Sequence, residues 1–153
     1  MIVFQQIYNF MLFIERPKDF APIFEVVSCF CEHDEDVLFL HRQHHKFHGN
    51  LWGVPAGKVD PGEQPIEAII RELFEETSFV VESKDLTFEQ TVYVRFPEFD
   101  MVYHMYTTVF SHKPPVTLNP EEHKDYRWMP PHAALDIPLI PEEDQCILLT
   151  YPR

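Results

Sequence analysis

Short apolar strand-like runs interleaved with two helical stretches predict an α+β or α/β fold, a mixed β-sheet flanked by helices. Three observations carry that expectation. Runs rich in β-branched and aromatic residues recur between turn signals. An apolar period of helical spacing occupies the middle of the chain and a Pro-bounded helical stretch lies near its end. No repeat and no low-complexity linker divides the 153 residues. At 45% hydrophobic, the chain has the apolar content for one sizeable core. The expected organisation is an N-terminal arm or added strand over residues 1–22 and a single domain over 23–153.

In chain order, MIVFQQIYNFMLFIER starts apolar but lacks a basic n-region and a small-residue cleavage site, and it is too short and too polar to span a bilayer. It reads as an added strand or packing arm. IFEVVSCFCE (23–32) and VLFLHR (37–42) flank the turn HDED and predict a hairpin. RQHHKFHGN is a polar loop, LWGVPAG a short strand leaving into a Gly/Pro loop, and PIEAIIRELFEETS a helix. Strands follow at LTFEQTVYVRF (86–96) and MVYHMYTTVF (101–110), then the loop SHKPPVTLNPEEHKD, a short strand at YRWMP, and a final helix over about 141–150.

Charge narrows the partners. With 25 acidic and 12 basic residues the net charge is −13, and no Lys/Arg cluster occurs. A polymeric nucleic acid needs a basic face and is excluded as the main partner, whereas a small phosphorylated ligand carried with a divalent cation is compatible. Three cysteines, Cys29, Cys31 and Cys146, are too few and odd in number for a disulfide framework. A reducing, cytoplasmic setting without membrane contact is the expectation, and homodimerisation is left open.

The central helix poses the chemical question. Gly57 to Phe79 holds six carboxylates against Lys58 and Arg71. At about 100° per residue, Ile66, Ile69, Ile70, Leu73, Phe74 and Thr77 form the expected core arc. Glu72, Glu75 and Glu76 form a stripe beside it, lacking the i,i+4 lysines that would balance a solvated face. Clustered oxygen ligands suit Mg²⁺ or Mn²⁺, above all when substrate phosphates complete the coordination. Pro65 fits the first helical position, with Gln64 as N-cap and Glu67 in the first turn.

These residues resemble a known motif. Gly57, five residues, Glu63, seven residues, then Arg71-Glu72-Leu73-Phe74-Glu75-Glu76-Thr77-Ser78-Phe79 resembles the Nudix box, G-x5-E-x7-R-E-U-x-E-E-x-G-U with U a bulky aliphatic residue. LWGVPAGK and EEHKDYRWMP are similar to the family's approach to the box and its late Glu-loop-Trp segment, so the resemblance covers about residues 24–150. It departs at Ser78, where the box has glycine, and at Phe79, where it has an aliphatic residue. A glycine there would serve as a left-handed helix terminus, which costs a serine on the order of 1 kcal/mol.

The resemblance implies an α/β/α sandwich and a metal-dependent enzyme that cleaves the pyrophosphate bond of a nucleoside diphosphate linked to another moiety. It implies Glu72 and Glu76 as principal metal ligands, Glu75 as a third and the carbonyl of Ala56 as a fourth, with Mg²⁺ or Mn²⁺ as cofactor. Arg71 would orient a catalytic glutamate; by spacing it can pair with Glu75 or Glu63. The general base falls either in the box, at Glu72, or on the late loop, where Glu122 matches and Glu121 is its neighbour. Gly57 and Glu63 are structural box residues, and Gly53 and Gly62 also read as backbone-geometry positions. Arg42, His45 and Lys58 are the substrate-binding candidates. Zinc at His41, His44, His45 and His48 is disfavoured because no cysteine or other partner is placed nearby. Phe96, Phe99, Tyr103 and Tyr106 supply core, with one or two free to stack on a nucleobase.

The expected substrate is a small nucleotide, by default a (deoxy)nucleoside triphosphate, with ADP-ribose or a dinucleoside polyphosphate as alternatives. RNA 5′ ends are disfavoured by the acidic charge, and an isopentenyl diphosphate isomerase lacks a convincingly placed cysteine. A non-catalytic nucleotide-sensing domain is the rival class, and it is opposed by the intact Glu72, Glu75 and Glu76.

Overall fold

Alternation within the strands determines where the two cores form. The computed structural model describes residues 9–153. Its strands are β1 (Met11–Phe13), β2 (Pro22–His33), β3 (Asp36–Arg42), β4 (Trp52–Gly53), β5 (Ala56–Lys58), β6 (Leu86–Arg95), β7 (Asp100–Val109) and β8 (His123–Met129). The helices are α1 (Pro65–Thr77) and α2 (Glu143–Thr150). Along β2 and β3, Val27, Cys29, Cys31, Leu38 and Leu40 point to one face and pack with Ala68, Ile69 and Leu73 of α1. Phe30, Val37 and Phe39 point to the other and pack with Cys146 and Ile147 of α2. A sheet buried on both faces explains why these strands read as nearly continuous apolar runs. The result is a mixed sheet between helices, as the sequence predicts.

The sheet runs β1-β6-β7-β2-β3-β4, with β5 added on β2 and β8 on β3. β2 and β7 are parallel, and the other described strand pairs are antiparallel. β2 forks the sheet. Its far end makes the predicted hairpin with β3, pairing Glu32 with Val37 across a turn in which Asp34 has φ 54°. Its middle pairs Val26, Val27 and Ser28 with Lys58, Gly57 and Ala56 of β5. The residues leading into α1 are thereby held against the sheet.

One strand lies outside the expected set, and another begins earlier than expected. β5 is three residues of Ala-Gly-Lys, with no apolar period to announce it, and it exists because β2 offers an open edge. β8 starts at His123, three residues before the expected strand, because the polar His123–Asp125 segment pairs with Arg42 and His41 of β3. At the N-terminus, β1 pairs Met11–Phe13 with Tyr93–Arg95 of β6; residues 1–8 of the expected arm lie outside the described residues.

Helix α1 is capped much as its sequence suggests. Pro65 opens it, and the backbone N–H of Gln64 donates to Glu67 Oε1 at 2.9 Å. Ser78 closes it in the left-handed region, φ 67° and ψ 17°, donating its N–H to Phe74 O at 2.9 Å. The core arc is rotated from the expected one. Phe74 is 57% exposed, while Ala68, Ile69, Leu73, Glu76 and Thr77 are buried, which turns the buried face by about 70° toward the carboxylates. The cause is β5: α1 packs on β5 as well as β2, so the Glu72–Glu76 edge of its acidic side is covered by protein while Glu75 stays exposed.

Candidate active site

Rotation of α1 carries Glu76 into the interior, at 3% exposed. Its Oε1 accepts the Ala56 N–H at 3.0 Å, which ties the helix to β5. Gly57, the next residue, lies so close to Glu72 that a Cβ would overlap its carboxylate. The glycine is required for approach rather than for φ. Burial pushes the Glu72 carboxyl up to about 7, with Arg71 opposing and the Glu75 and Glu122 charges adding to the rise. Burial, and then the Glu72 charge, raise Glu76 well above the ordinary carboxylate range. Without a counter-ion, this end of α1 disfavours its own charge.

Arg71 organises the outer half of the site. Its Nε and Nη2 donate to the two oxygens of Glu63, each at 2.9 Å, a bidentate pair. Nη1 donates to Glu72 Oε1 at 2.8 Å, and Nη2 also donates to Lys58 O at 2.9 Å. Glu75, largely exposed, is reached at 3.3 Å. Hydrogen bonding from Arg71, and then from the Asp60 N–H, holds the Glu63 carboxyl down to about 2. One guanidinium thus fixes Glu72 against the loop through Glu63 and Lys58, satisfying both pairings that spacing allowed.

The late loop supplies the facing wall. Gln43 N donates to Glu122 O at 2.9 Å, and His123 N to Asn119 O at 3.0 Å, which anchors the entry of β8 beside the end of β3. Among the described residues, Glu76, Glu122 and His123 form the one group of three whose ligand atoms lie within 4.8 Å of one another. His123 is 4% exposed, and its Nδ1 is buried with no hydrogen-bond partner. Burial, and then the Arg42 charge, lower its pKa to about 4, so the imidazole is neutral near pH 7. Two carboxylates and a neutral imidazole fit a divalent cation.

The structure therefore brings Glu72, Glu76, Glu122, Ala56, Gly57, Glu63 and Arg71 together, and sets Glu75 to the outside on Arg71. His123 is the site residue that sequence reasoning missed. It follows the flagged Glu122 directly, but nothing in a polar segment announced that the strand begins there. The histidine-rich loop contributes no such group: His41 stacks on Trp52 with centroids 4.3 Å apart, and its Nε2 meets Asn50 O at 3.0 Å.

A pocket of about 640 Å³ adjoins the carboxylates, sharing Ala56 and Gly57 with them. Phe24, Phe96 and Phe99 form an aromatic wall, with the Phe24–Phe99 centroids 5.1 Å apart and Phe96–Phe99 5.2 Å apart. The three substrate-binding candidates, Arg42, His45 and Lys58, all line it, as does Lys46. Lys58 Nζ lies 4.3 Å from the Phe24 ring centroid, and Arg42 Nε donates to Phe47 O at 2.9 Å. Tyr103 lines the pocket too, whereas Tyr106 packs in the α1-side core.

A NUDIX domain model matches residues 22–149. The CTP pyrophosphohydrolase of Escherichia coli (strain K12) is 32% identical over 123 residues, covering 78% of this chain and 84% of that protein. The NUDIX domain of Shewanella oneidensis NrtR, solved with ADP ribose, superposes with a TM-score of 0.71 at 25% identity over 89% of this chain and 91% of its own. A C. elegans Ap4A hydrolase gives a TM-score of 0.69 at 20% identity, with 84% and 95% covered, a likeness of fold. The chain belongs to the NUDIX family and is a Nudix hydrolase, an enzyme of the pyrophosphohydrolase class.

Proposed function

We propose that this enzyme hydrolyses a pyrophosphate linkage of a (deoxy)nucleoside triphosphate with Mg²⁺ or Mn²⁺. The carrying observation is adjacency. The cluster of Glu76, Glu122 and His123 and the Arg71-held Glu72 share one border, Ala56–Gly57, with an aromatic-lined pocket rimmed by Arg42, Lys46 and Lys58. An aromatic wall accommodates a base and the cations accompany a phosphate chain.

Glu76, Glu122 and His123 would hold the cation, with Glu72 bordering it. Such an ion neutralises phosphate charge and lowers the pKa of a bound water. In the reaction, a water oxygen bonds to phosphorus, the bridging P–O bond breaks, and the water proton passes to a carboxylate. Arg71 keeps Glu72 in place throughout, and the Ala56 N–H keeps Glu76 facing the same space. The 32% identity to a CTP pyrophosphohydrolase supports the triphosphate class.

The test is a panel of nucleoside diphosphate derivatives with Mg²⁺ or Mn²⁺, scored for phosphate, pyrophosphate and nucleotide released. Nucleoside triphosphates should lead it. A clear preference for ADP-ribose or a dinucleoside polyphosphate would replace the triphosphate assignment with that substrate.

A further inference from the structure

Glu122 has two kinds of neighbour. Its carboxylate groups with Glu76 and His123, the set that fits a divalent cation, and its Oε1 also lies 3.8 Å from Lys46 Nζ. That separation is longer than a direct N–H···O hydrogen bond, and both side chains are only half-buried. Lys46 lines the aromatic pocket as well. The pocket's other cations are engaged differently: Arg42 Nε donates to Phe47 O, and Lys58 Nζ lies over the Phe24 ring. Among the described residues, Lys46 is the pocket-lining lysine set against a carboxylate of the group. The backbone around this pair is fastened. Gln43 N donates to Glu122 O and Gln43 Nε2 to Pro120 O, each at 2.9 Å, and Lys46 N closes a turn on Gln43 O at 3.2 Å. A change of partner by Lys46 therefore needs only its flexible four-carbon stem to turn.

A carboxylate that takes up a divalent cation becomes a poor partner for an ammonium a few ångströms away, because the two cations repel. We propose that Lys46 changes partners during binding: it pairs with Glu122 before a divalent cation is bound, and passes to a phosphate oxygen of the substrate once the cation is in place. Lys46 thereby competes with the cation for Glu122 and then strengthens the hold on the substrate. The inference rests on the reading of Glu76, Glu122 and His123 as the cation's ligands. It applies to any substrate that carries a diphosphate, so it does not depend on the triphosphate assignment.

Two calorimetric titrations test the exchange without turnover, one with Mn²⁺ alone and one with the preformed Mn²⁺ complex of methylenediphosphonate, an uncleavable diphosphate. Lys46→Met keeps the length of the stem and removes the charge. It should bind Mn²⁺ about threefold more tightly, the scale on which half-exposed ion pairs act, and the diphosphonate complex about tenfold more weakly, the scale of a lost charge-assisted hydrogen bond. The opposite signs are the signature, because a merely structural role for Lys46 would weaken both ligands or neither. Lys46→Arg keeps the charge and should keep both wild-type affinities. Lys124 is exposed and paired with Asn50 Oδ1, so Lys124→Met should change neither and controls for the general field of a lost positive charge. Unchanged or weaker Mn²⁺ binding in Lys46→Met, unchanged diphosphonate binding, or the same pair of shifts in Lys124→Met overturns the inference alone. A wild type that binds no Mn²⁺ overturns the cation-site reading and the inference with it. The expected shifts in an enzyme that prefers ADP-ribose support the inference and replace only the triphosphate assignment.

Discussion

Gly57 and the Glu72 carboxylate lie in contact with no room for a Cβ between them. Replacing Gly57 with Ala must therefore move Glu72, which Arg71 holds from its other side at 2.8 Å. Misplacement of a reacting group by about 1 Å can cost about 10²-fold in rate. Gly57→Ala is expected to lower kcat on that scale while far-UV circular dichroism stays unchanged. A variant with wild-type kcat would detach Glu72 from the chemistry.

Ser78 holds a left-handed helix terminus at φ 67° where the family motif has glycine. Removing its Cβ relieves about 1–2 kcal/mol of local strain, offset by about 0.5–1 kcal/mol of added unfolded-chain entropy. Ser78→Gly should stabilise by roughly 0.5–1 kcal/mol with no change in kcat. Chemical denaturation measures it, and a destabilised variant would mean that the hydroxyl's 3.5 Å contact with Thr117 O outweighs the strain.

Glu143 is buried, and burial first, with the Glu142 charge adding, lifts its carboxyl to about 8; burial lifts Glu142 to about 7. Both folded values exceed the ordinary 4.5, so the folded state binds these protons more tightly than the unfolded one. Their contribution is complete below about pH 4.5 and is lost as pH rises through about 7 to 8. The Tm of the metal-free protein should fall across that window. Glu143→Gln keeps an acceptor for the Val54 N–H and should flatten the fall. An equally steep decline in the variant would place its source elsewhere.

Much of this was legible beforehand because its signals are local. The β2–β3 hairpin, the span of α1 and the Gly57-to-Glu76 spacing all follow from turn residues and periodicity. What escaped depends on tertiary cover. Phe74 fits the apolar arc by angle, but β5 lies on the acidic side of α1, and three residues of Ala-Gly-Lys give no hint of that. Glu142 reads as an ordinary acidic first-turn residue beside Pro141; only the packing of α2 against β4 and the pocket buries it. His123 sits in a polar run whose pairing with β3 is set by the partner strand.

Glu76 is the carboxylate most dependent on a counter-ion, being buried and near the Glu72 and Glu122 charges. Glu76→Gln retains an oxygen for the Ala56 N–H while removing the charge. It should lower kcat by at least about 10²-fold and weaken Mn²⁺ binding, yet raise the Tm of the metal-free protein near neutral pH. Near wild-type turnover would remove Glu76 from the site.

Glu122 has two candidate roles, and the geometry separates their consequences. As a base on a loop it would keep a free carboxylate, and Glu122→Gln would lower kcat without touching metal affinity. Its carboxylate instead lies in the group with Glu76 and His123, within 4.8 Å, and Lys46 Nζ is the cation beside it at 3.8 Å. A ligand role follows from that company, so Glu122→Gln should lower kcat and Mn²⁺ affinity together. His123 sharpens the distinction, because imidazole suits Mn²⁺ and later transition ions better than Mg²⁺. His123→Asn should weaken Mn²⁺ binding by about tenfold, the lower end of what altered ligation costs, and leave Mg²⁺ binding nearly unchanged. Parallel Mn²⁺ and Mg²⁺ calorimetric titrations of both variants, beside steady-state kinetics, decide the matter. Intact Mn²⁺ affinity in Glu122→Gln with kcat lost would return Glu122 to the role of base, and equal losses for both ions in His123→Asn would make His123 a packing residue of the wall.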